Sequence, residues 1–186
     1  MSVNWATTED TPAVSRASLT DLLQPDWVAQ GTLAELPLEH LLERGIRALV
    51  LDVDRTLLPH RGCELPPAME QWLRQAQAQL PLHLFSNNPS RSRIGGVAEQ
   101  LGVPFTTSAG KPRRGPLRRV LDGLALPPAQ VALVGDRVFT DVLVGNRLGL
   151  FTVLVKPVNA DGQPCRHDRW QRLEVSLARL SGAPIS

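Results

Sequence analysis

The stretch "LVLDVDRTLL" (Leu49–Leu58) starts as a buried strand and ends as something else. Ala48 to Leu51 is an unbroken apolar run, which suits a sheet covered on both faces. It then meets Asp52, Val53 and Asp54. A buried carboxylate is costly, and two close together are worse because each opposes the other's ionisation. Side chains two apart on a strand share a face. Asp52 and Asp54 are therefore expected to point into one site just past the strand end.

Outward from this stretch, strands and helices alternate. The strand, read as Ile46–Val53, follows a short helix, Leu36–Arg44, stopped by Gly45. After it come a helix at Pro66–Leu80, a strand at Leu82–Phe85, and a helix at Ser90–Leu101 with Ser90 as cap and Gly102 as stop. Then follow a strand at Val103–Phe105, a helix at Pro116–Leu124, a strand at Val131–Val134, a helix at Phe139–Leu148 and a strand at Phe151–Val155. A last amphipathic helix spans Asp168–Leu180. The order predicts an α/β fold, a single doubly wound domain with a mostly parallel sheet flanked by helices, over residues 19–186. Leu19–Val28, interrupted by Pro25, reads as a lead-in segment packed on the domain, and polar residues 1–18 read as loosely ordered.

Parallel sheets carry their chemistry at the carboxyl ends of the strands. Those ends hold Asp52 and Asp54, then Ser86, Asn87 and Asn88, then Gly135 and Asp136, with Asp141 five residues further on. Four converging carboxylates repel unless a cation sits among them. With only oxygen ligands on offer, the natural ion is Mg²⁺. The Ser86 hydroxyl and the start of the following helix suit a phosphate oxygen. Lys111 would add a compact point charge, in a chain whose other lysine is Lys156.

Composition sets the outer bounds. The chain has 186 residues, 42% hydrophobic and 20% charged, as befits one globular domain. A net charge of +2 is too small to call for nucleic acid, and no nucleic-acid partner is expected. Cys63 and Cys165 lack metal-ligand spacing and read as free thiols. No leader or membrane-length apolar run is visible, so the expected location is the cytoplasm.

The collection resembles the haloacid dehalogenase (HAD) superfamily. Asp52, Asp54 and Thr56 match its D-x-D-x-T motif; Ser86 in "HLFSNN" matches its strand-end Ser or Thr; Lys111 in "GKP" matches its lysine; Gly135, Asp136 and Asp141 in "GDRVFTD" match its G-D-x-x-x-x-D. "LLQPDW", "SNN" and "GDRVFTDVLVGNRLGLFTVLVKPV" resemble more narrowly the subclass IIIA, YqeG-type phosphatases, which include relatives of phosphatidylglycerophosphate phosphatases. The resemblance implies that Asp52 attacks phosphorus to give an aspartyl-phosphate, while Asp54 serves as acid and then base. It implies Mg²⁺ held by the Asp52 carboxylate, the Asp54 carbonyl and Asp136, with Asp141 supporting through water. Thr56, Ser86, Asn87 and Lys111 would bind the phosphate. The gaps from Asp54 to Ser86 and from Ser86 to Lys111 are too short for a cap domain, so an open site and a large or surface-embedded phosphorylated substrate are expected.

The best specific substrate, by resemblance, is phosphatidylglycerophosphate. A nucleotide, a sugar phosphate, a phosphoprotein, or a non-catalytic scaffold are the other readings. Arg55 departs from the family pattern, and either tunes substrate choice or points to solvent. His60 reads as a solvated loop residue and His83 as a structural histidine. The run Arg113, Arg114, Arg118 and Arg119 fits a solvated helix face and an anionic-headgroup surface equally well. In the last helix, Trp170, Leu173, Leu177 and Leu180 share a face with arginines among them. Packing on the domain is favoured for that face over peripheral membrane contact. The sequence leaves oligomeric state open.

Overall fold

A computed structural model describes residues 18–60, 62–165 and 168–185. The elements in order are α1 (Leu19–Leu23), β1 (Trp27–Val28), α2 (Leu38–Glu43), β2 (Ala48–Leu51), α3 (Pro67–Gln77), β3 (Leu82–Phe85), α4 (Arg91–Leu101), β4 (Phe105–Thr106), α5 (Arg114–Leu124), β5 (Val131–Gly135), α6 (Leu143–Asn146), β6 (Phe151–Leu154) and α7 (Arg169–Leu180). Six strands form one sheet in the order β1-β6-β5-β2-β3-β4, and every pairing is parallel. This is the predicted α/β architecture, a single Rossmann-like domain. Residues 1–17 of the expected loose segment lie outside the described residues, whereas Ser18 caps α1 through a reciprocal bond with Asp21.

The apolar run at β2 is covered on both sides. Leu49 and Leu51 join one core, with Met69 and Leu73 of α3 and Ile94 of α4. Ala48 and Val50 join a second, with Leu117 and Leu121 of α5. A smaller third core holds Leu23, Val138, Val142, Leu154 and Ala178, tying α1 and α7 to the β6 side. The central strand β2 pairs with β3 and β5 in matched register, Leu51 lying between Leu84 and Val134. The three key strands thus end together, which is what gathers the site.

Several boundaries differ from expectation. The central strand closes at Leu51 rather than Val53, so Asp52 lies on the loop together with Asp54. Trp27–Val28 is an edge strand paired with β6, which the lead-in reading missed. The helix expected at Phe139–Leu148 opens as a π-helical turn, Val138–Val142, before α6. Among the described residues, one loop, α3 and β3 fill the interval from Asp54 to Ser86, and no cap domain is inserted.

Candidate active site

The loop after β2 brings both Asp52 and Asp54 to one cleft, as expected, where their carboxylates take different partners. The Asp52 N–H donates to the Val134 carbonyl at 2.9 Å, extending the ladder by one rung. The chain then turns tightly, with the N–H groups of Leu57 and Leu58 both donating to the Val53 carbonyl. Arg55 takes the left-handed conformation that this turn needs (φ 71°), an uncommon one for a residue with a side chain. The Asp52 carboxylate is buried in the sheet's end, and the Asp54 carboxylate is partly exposed at the cleft.

Asp52, Asp136 and Asp141 form the buried cluster, each presenting a carboxylate oxygen within 4.8 Å of the others. Lys111 closes it. Its Nζ donates to Asp52 Oδ1 at 2.5 Å, to Asp141 Oδ1 at 2.6 Å and to the Phe85 carbonyl at 3.1 Å. Three carboxylates against one ammonium leave two negative charges when all are ionised. The consequences show in the acidities. Burial, opposed by Lys111 and reinforced by Asp141, pushes Asp52 from 3.8 up to about 6. Burial together with the Asp52 and Asp141 charges raises Asp136 well above the ordinary carboxylate range, despite Arg55 and Lys111. Burial alone would lower the Lys111 ammonium, but Asp141 and Asp52 outweigh it and keep it charged.

This cluster fits a divalent cation. The excess of two negative charges is what such an ion cancels, and the donors are all carboxylate oxygens. Asp136 Oδ2, moreover, is buried without a hydrogen-bond partner. Arg55 Nε lies 3.6 Å from it, too far for a hydrogen bond, so a coordinating cation or a proton would complete it.

Asp54 stands apart from the cluster, so three carboxylates converge rather than four. Its Oδ2 accepts from Ser86 Oγ at 2.8 Å, and its Oδ1 from Asn88 Nδ2 at 3.1 Å and Arg93 Nε at 3.2 Å. Arg93 is held in turn by the carbonyls of Pro59, at 2.9 Å, and Gly62. Asn87 lines the cleft and also holds the backbone of Lys111: its Oδ1 accepts from the Lys111 N–H at 2.7 Å and its Nδ2 donates to the Lys111 carbonyl at 3.2 Å. Thr56 is buried behind the loop, its Oγ1 without a partner. The start of α4 is not the anion cradle the sequence suggested. Ser90 Oγ already accepts from the Arg93 N–H, and the loop residues Asn88 and Pro89, rather than α4, line the cleft.

The cleft itself is about 630 Å³, with Asp52, Asp54, Ser86, Lys111, Asp136 and Asp141 in its lining and Arg55, His60 and Trp170 at its sides. Gly135 explains the glycine of "GDRVFTD": a Cβ there would lie 2.4 Å from Asp141 Cγ, so only glycine lets the π-helical turn bring Asp141 over the strand end. His60 is exposed, as expected of a loop histidine. His83 is structural: it bonds Thr106 Oγ1 at 2.9 Å, and burial lowers its pKa. Both cysteines are free.

Two findings fall outside the sequence reading. Arg55 neither faces solvent nor stands alone; its guanidinium lies 3.6 Å from Asp136 and pairs with Asp168, the cap of α7. And α7 is fastened to the site by its polar side chains. Gln171 Nε2 donates to the Asp136 carbonyl at 2.8 Å and to the Val155 carbonyl at 2.7 Å. Buried Glu174 accepts from Arg137 Nε and from the Val138 N–H, each at 2.9 Å. No motif spacing marks Arg93, Gln171 or Glu174; the one available signal was a lone acid in the middle of a basic, amphipathic helix.

Comparison with known proteins agrees with this geometry. A family model described as HAD-hydrolase-like matches residues 108–170, the part that carries Lys111, Asp136 and Asp141. The probable phosphatase YqeG of Bacillus subtilis is 33% identical over 133 residues, covering 70% of this chain and 77% of its own. The chloroplastic and mitochondrial phosphatidylglycerophosphate phosphatase 1 of Arabidopsis thaliana is 25% identical over 87% of this chain, which spans 46% of that longer protein. The mitochondrial phosphatidylglycerophosphatase of Saccharomyces cerevisiae is 28% identical over 81% of this chain and 85% of its own.

Proposed function

The chain belongs to the HAD-like hydrolase family, alongside the YqeG phosphatase, and from that premise we propose a Mg²⁺-dependent phosphomonoester hydrolase whose substrate is phosphatidylglycerophosphate. The observation that carries the phosphatase reading is the buried cluster of Asp52, Asp136 and Asp141 around Lys111, beside an Asp54 that faces the cleft. The names of the Arabidopsis and yeast relatives supply the substrate.

Asp52 is the nucleophile: one carboxylate oxygen forms the bond to phosphorus as the bond from phosphorus to the leaving oxygen breaks. Asp54 gives the leaving oxygen its proton, then takes a proton from the water that attacks the aspartyl-phosphate, which frees phosphate and restores Asp52. The carboxylates of Asp52 and Asp136 and the Asp54 carbonyl would hold Mg²⁺, with Asp141 supporting through water. When bound, the ion supplies charge neutralisation and polarises a phosphoryl oxygen. Lys111 offsets phosphoryl charge, and Asn87 acts by fixing the Lys111 backbone. Ser86 and Thr56 complete the phosphate subsite. Ser86 both orients Asp54 and lines the cleft, and the buried Thr56 hydroxyl lies beside Asp52 and favours its ionised form. The reading keeps the chain in the cytoplasm. Among the described residues no helix is long and apolar enough to cross a membrane.

The expected result is Mg²⁺-dependent release of phosphate from an aryl phosphate, reduced roughly a thousandfold or more in Asp52→Asn. Phosphatidylglycerophosphate in mixed micelles should turn over well above nucleotides and sugar phosphates. Equal or reversed rates would remove the lipid and leave the phosphatase. No turnover with any phosphomonoester would return the chain to a scaffold.

A further inference from the structure

Helix α7 is docked the wrong way round for a helix of a water-soluble monomer. Its polar residues Gln171 and Glu174 face the domain, where they bond the backbone beside Asp136. Its large apolar residues face out: Trp170 is 64% exposed, Leu173 49%, Leu177 43% and Leu180 84%. At about 100° per residue these four fall within an arc of about 80°, so they form one stripe. The expectation that this face packs on the domain is therefore overturned. Ala178 and the Glu174 carboxylate occupy that place.

The stripe has a position and a charge. Trp170 lines the active-site cleft and also a neighbouring cavity of about 940 Å³, so the stripe begins at the mouth of the site. At its far end, Thr20 of α1 lies against Gly182, two residues past the helix, and the neighbouring Leu19 is 63% exposed. Among the described residues these five are the exposed large apolar side chains. The exposed surface of α7 also carries Arg169, Arg172 and Arg179, while the helix's one acid, Glu174, is buried. The chain leaving Lys111 adds exposed Arg113 and Arg114. An apolar stripe edged by arginines, on a helix with no exposed acid of its own, complements an anionic lipid surface. It does not complement a second copy of itself, since a two-fold contact through this helix would set arginines against arginines.

We propose that the outward face of α7 is a docking surface for an anionic phospholipid bilayer. Trp170, Leu173, Leu177 and Leu180 enter the headgroup boundary, the arginines meet lipid phosphates, and the cleft is turned toward the membrane. The proposal rests on the lipid-phosphatase reading for its purpose and not for its test.

Sedimentation with vesicles separates the two. The full chain should bind vesicles of phosphatidylcholine with a quarter phosphatidylglycerol roughly tenfold or more tighter than pure phosphatidylcholine vesicles. Binding should weaken as salt rises. The Leu173→Ser/Leu177→Ser/Leu180→Ser variant should lose roughly tenfold or more of that affinity while hydrolysing soluble aryl phosphate at the wild-type rate. Tryptophan emission should shift to the blue on adding anionic vesicles, and Trp170→Phe should lose that shift, a readout independent of the triple variant's folding. Failure of the wild-type chain to bind, or undiminished binding by the triple variant, would overturn the proposal. So would a dimer that the triple variant dissolves, because the face would then belong to a second copy. Vesicle binding without turnover of any lipid phosphate would sustain the surface and sink the substrate.

Discussion

At Asp52, burial and charge set a balance that a cation should tip. The cluster's carboxylates are pushed up, Asp52 to about 6 and Asp136 in the same direction. For an acid, a folded value above the ordinary 3.8 means that the fold favours the protonated form. That contribution to stability is complete below pH 3.8 and lost as pH rises past about 6. Mg²⁺ binds the ionised form, so at low pH it must first displace protons. The rise in melting temperature on replacing EDTA with Mg²⁺ should thus be larger at pH 7.5 than at pH 5. Equal rises would mean that the cluster is not the metal site. Without metal at pH 7.5, Asp136→Asn should melt higher than wild type, since it relieves burial and the repulsion from Asp52 and Asp141 that Arg55 and Lys111 offset only in part, by roughly 2–4 °C per kcal/mol relieved. All three carboxylates were legible in the sequence because strand ends and motif spacing place them. The direction of Asp54 was not legible: its partners Ser86, Asn88 and Arg93 lie 32 to 39 residues away.

Secondary-structure elements explain how those residues are held, and here the sequence was only partly readable. The strand ends could be placed to within two or three residues because β2, β3 and β5 are apolar runs closed by polar ones. The π-helical turn at Val138–Val142 could not, because its apolar spacing fits an ordinary helix and the deviation comes from Asp141 reaching back over Gly135. Gly135→Ala should cost about 1–3 kcal/mol by overpacking. It should also lower kcat for the aryl phosphate, since the added methyl displaces Asp141 from Lys111. An unchanged melting temperature and rate would show the turn to be more yielding than its contacts imply. The orientation of α7 was misread for a related reason: periodicity tells which residues share a face, and the tertiary partners decide which face turns inward. Arg137, Val138 and Asp136 supply those partners, so Glu174 goes in and the leucines go out. Glu174→Ala unpairs Arg137 and two backbone N–H groups. Because the Arg137 side chain is 43% exposed and can turn to solvent, the loss should be about 1–2 kcal/mol, from the unpaired backbone N–H groups, with activity weakened through Asp136. A denaturation midpoint equal to wild type would mean that the helix is held by something else.

At the scale of the whole molecule, the absence of a cap among the described residues makes the substrate, not the enzyme, the lid of the site. Between Asp54 and Ser86 the chain makes only a loop, α3 and β3, and between Ser86 and Lys111 only α4 and β4. Many enzymes exclude water from such chemistry by closing a lid or domain over the substrate. Here the cleft walls are the ends of one continuous sheet and a helix fastened to it at Arg55, Gln171 and Glu174. Rigid walls leave nothing large to move. Addition of Mg²⁺ and orthovanadate, which mimics the phosphoryl group in transfer, should therefore leave the radius of gyration measured by X-ray scattering unchanged. A contraction would reveal a closing segment. If the surface that docks on α7 is what excludes water from the cleft, kcat for a vesicle-borne phosphomonoester should exceed kcat for its short-chain soluble analogue, with KM differences accounted for separately. An equal kcat would mean that the open cleft alone suffices for the chemistry and that the membrane acts only by concentrating substrate.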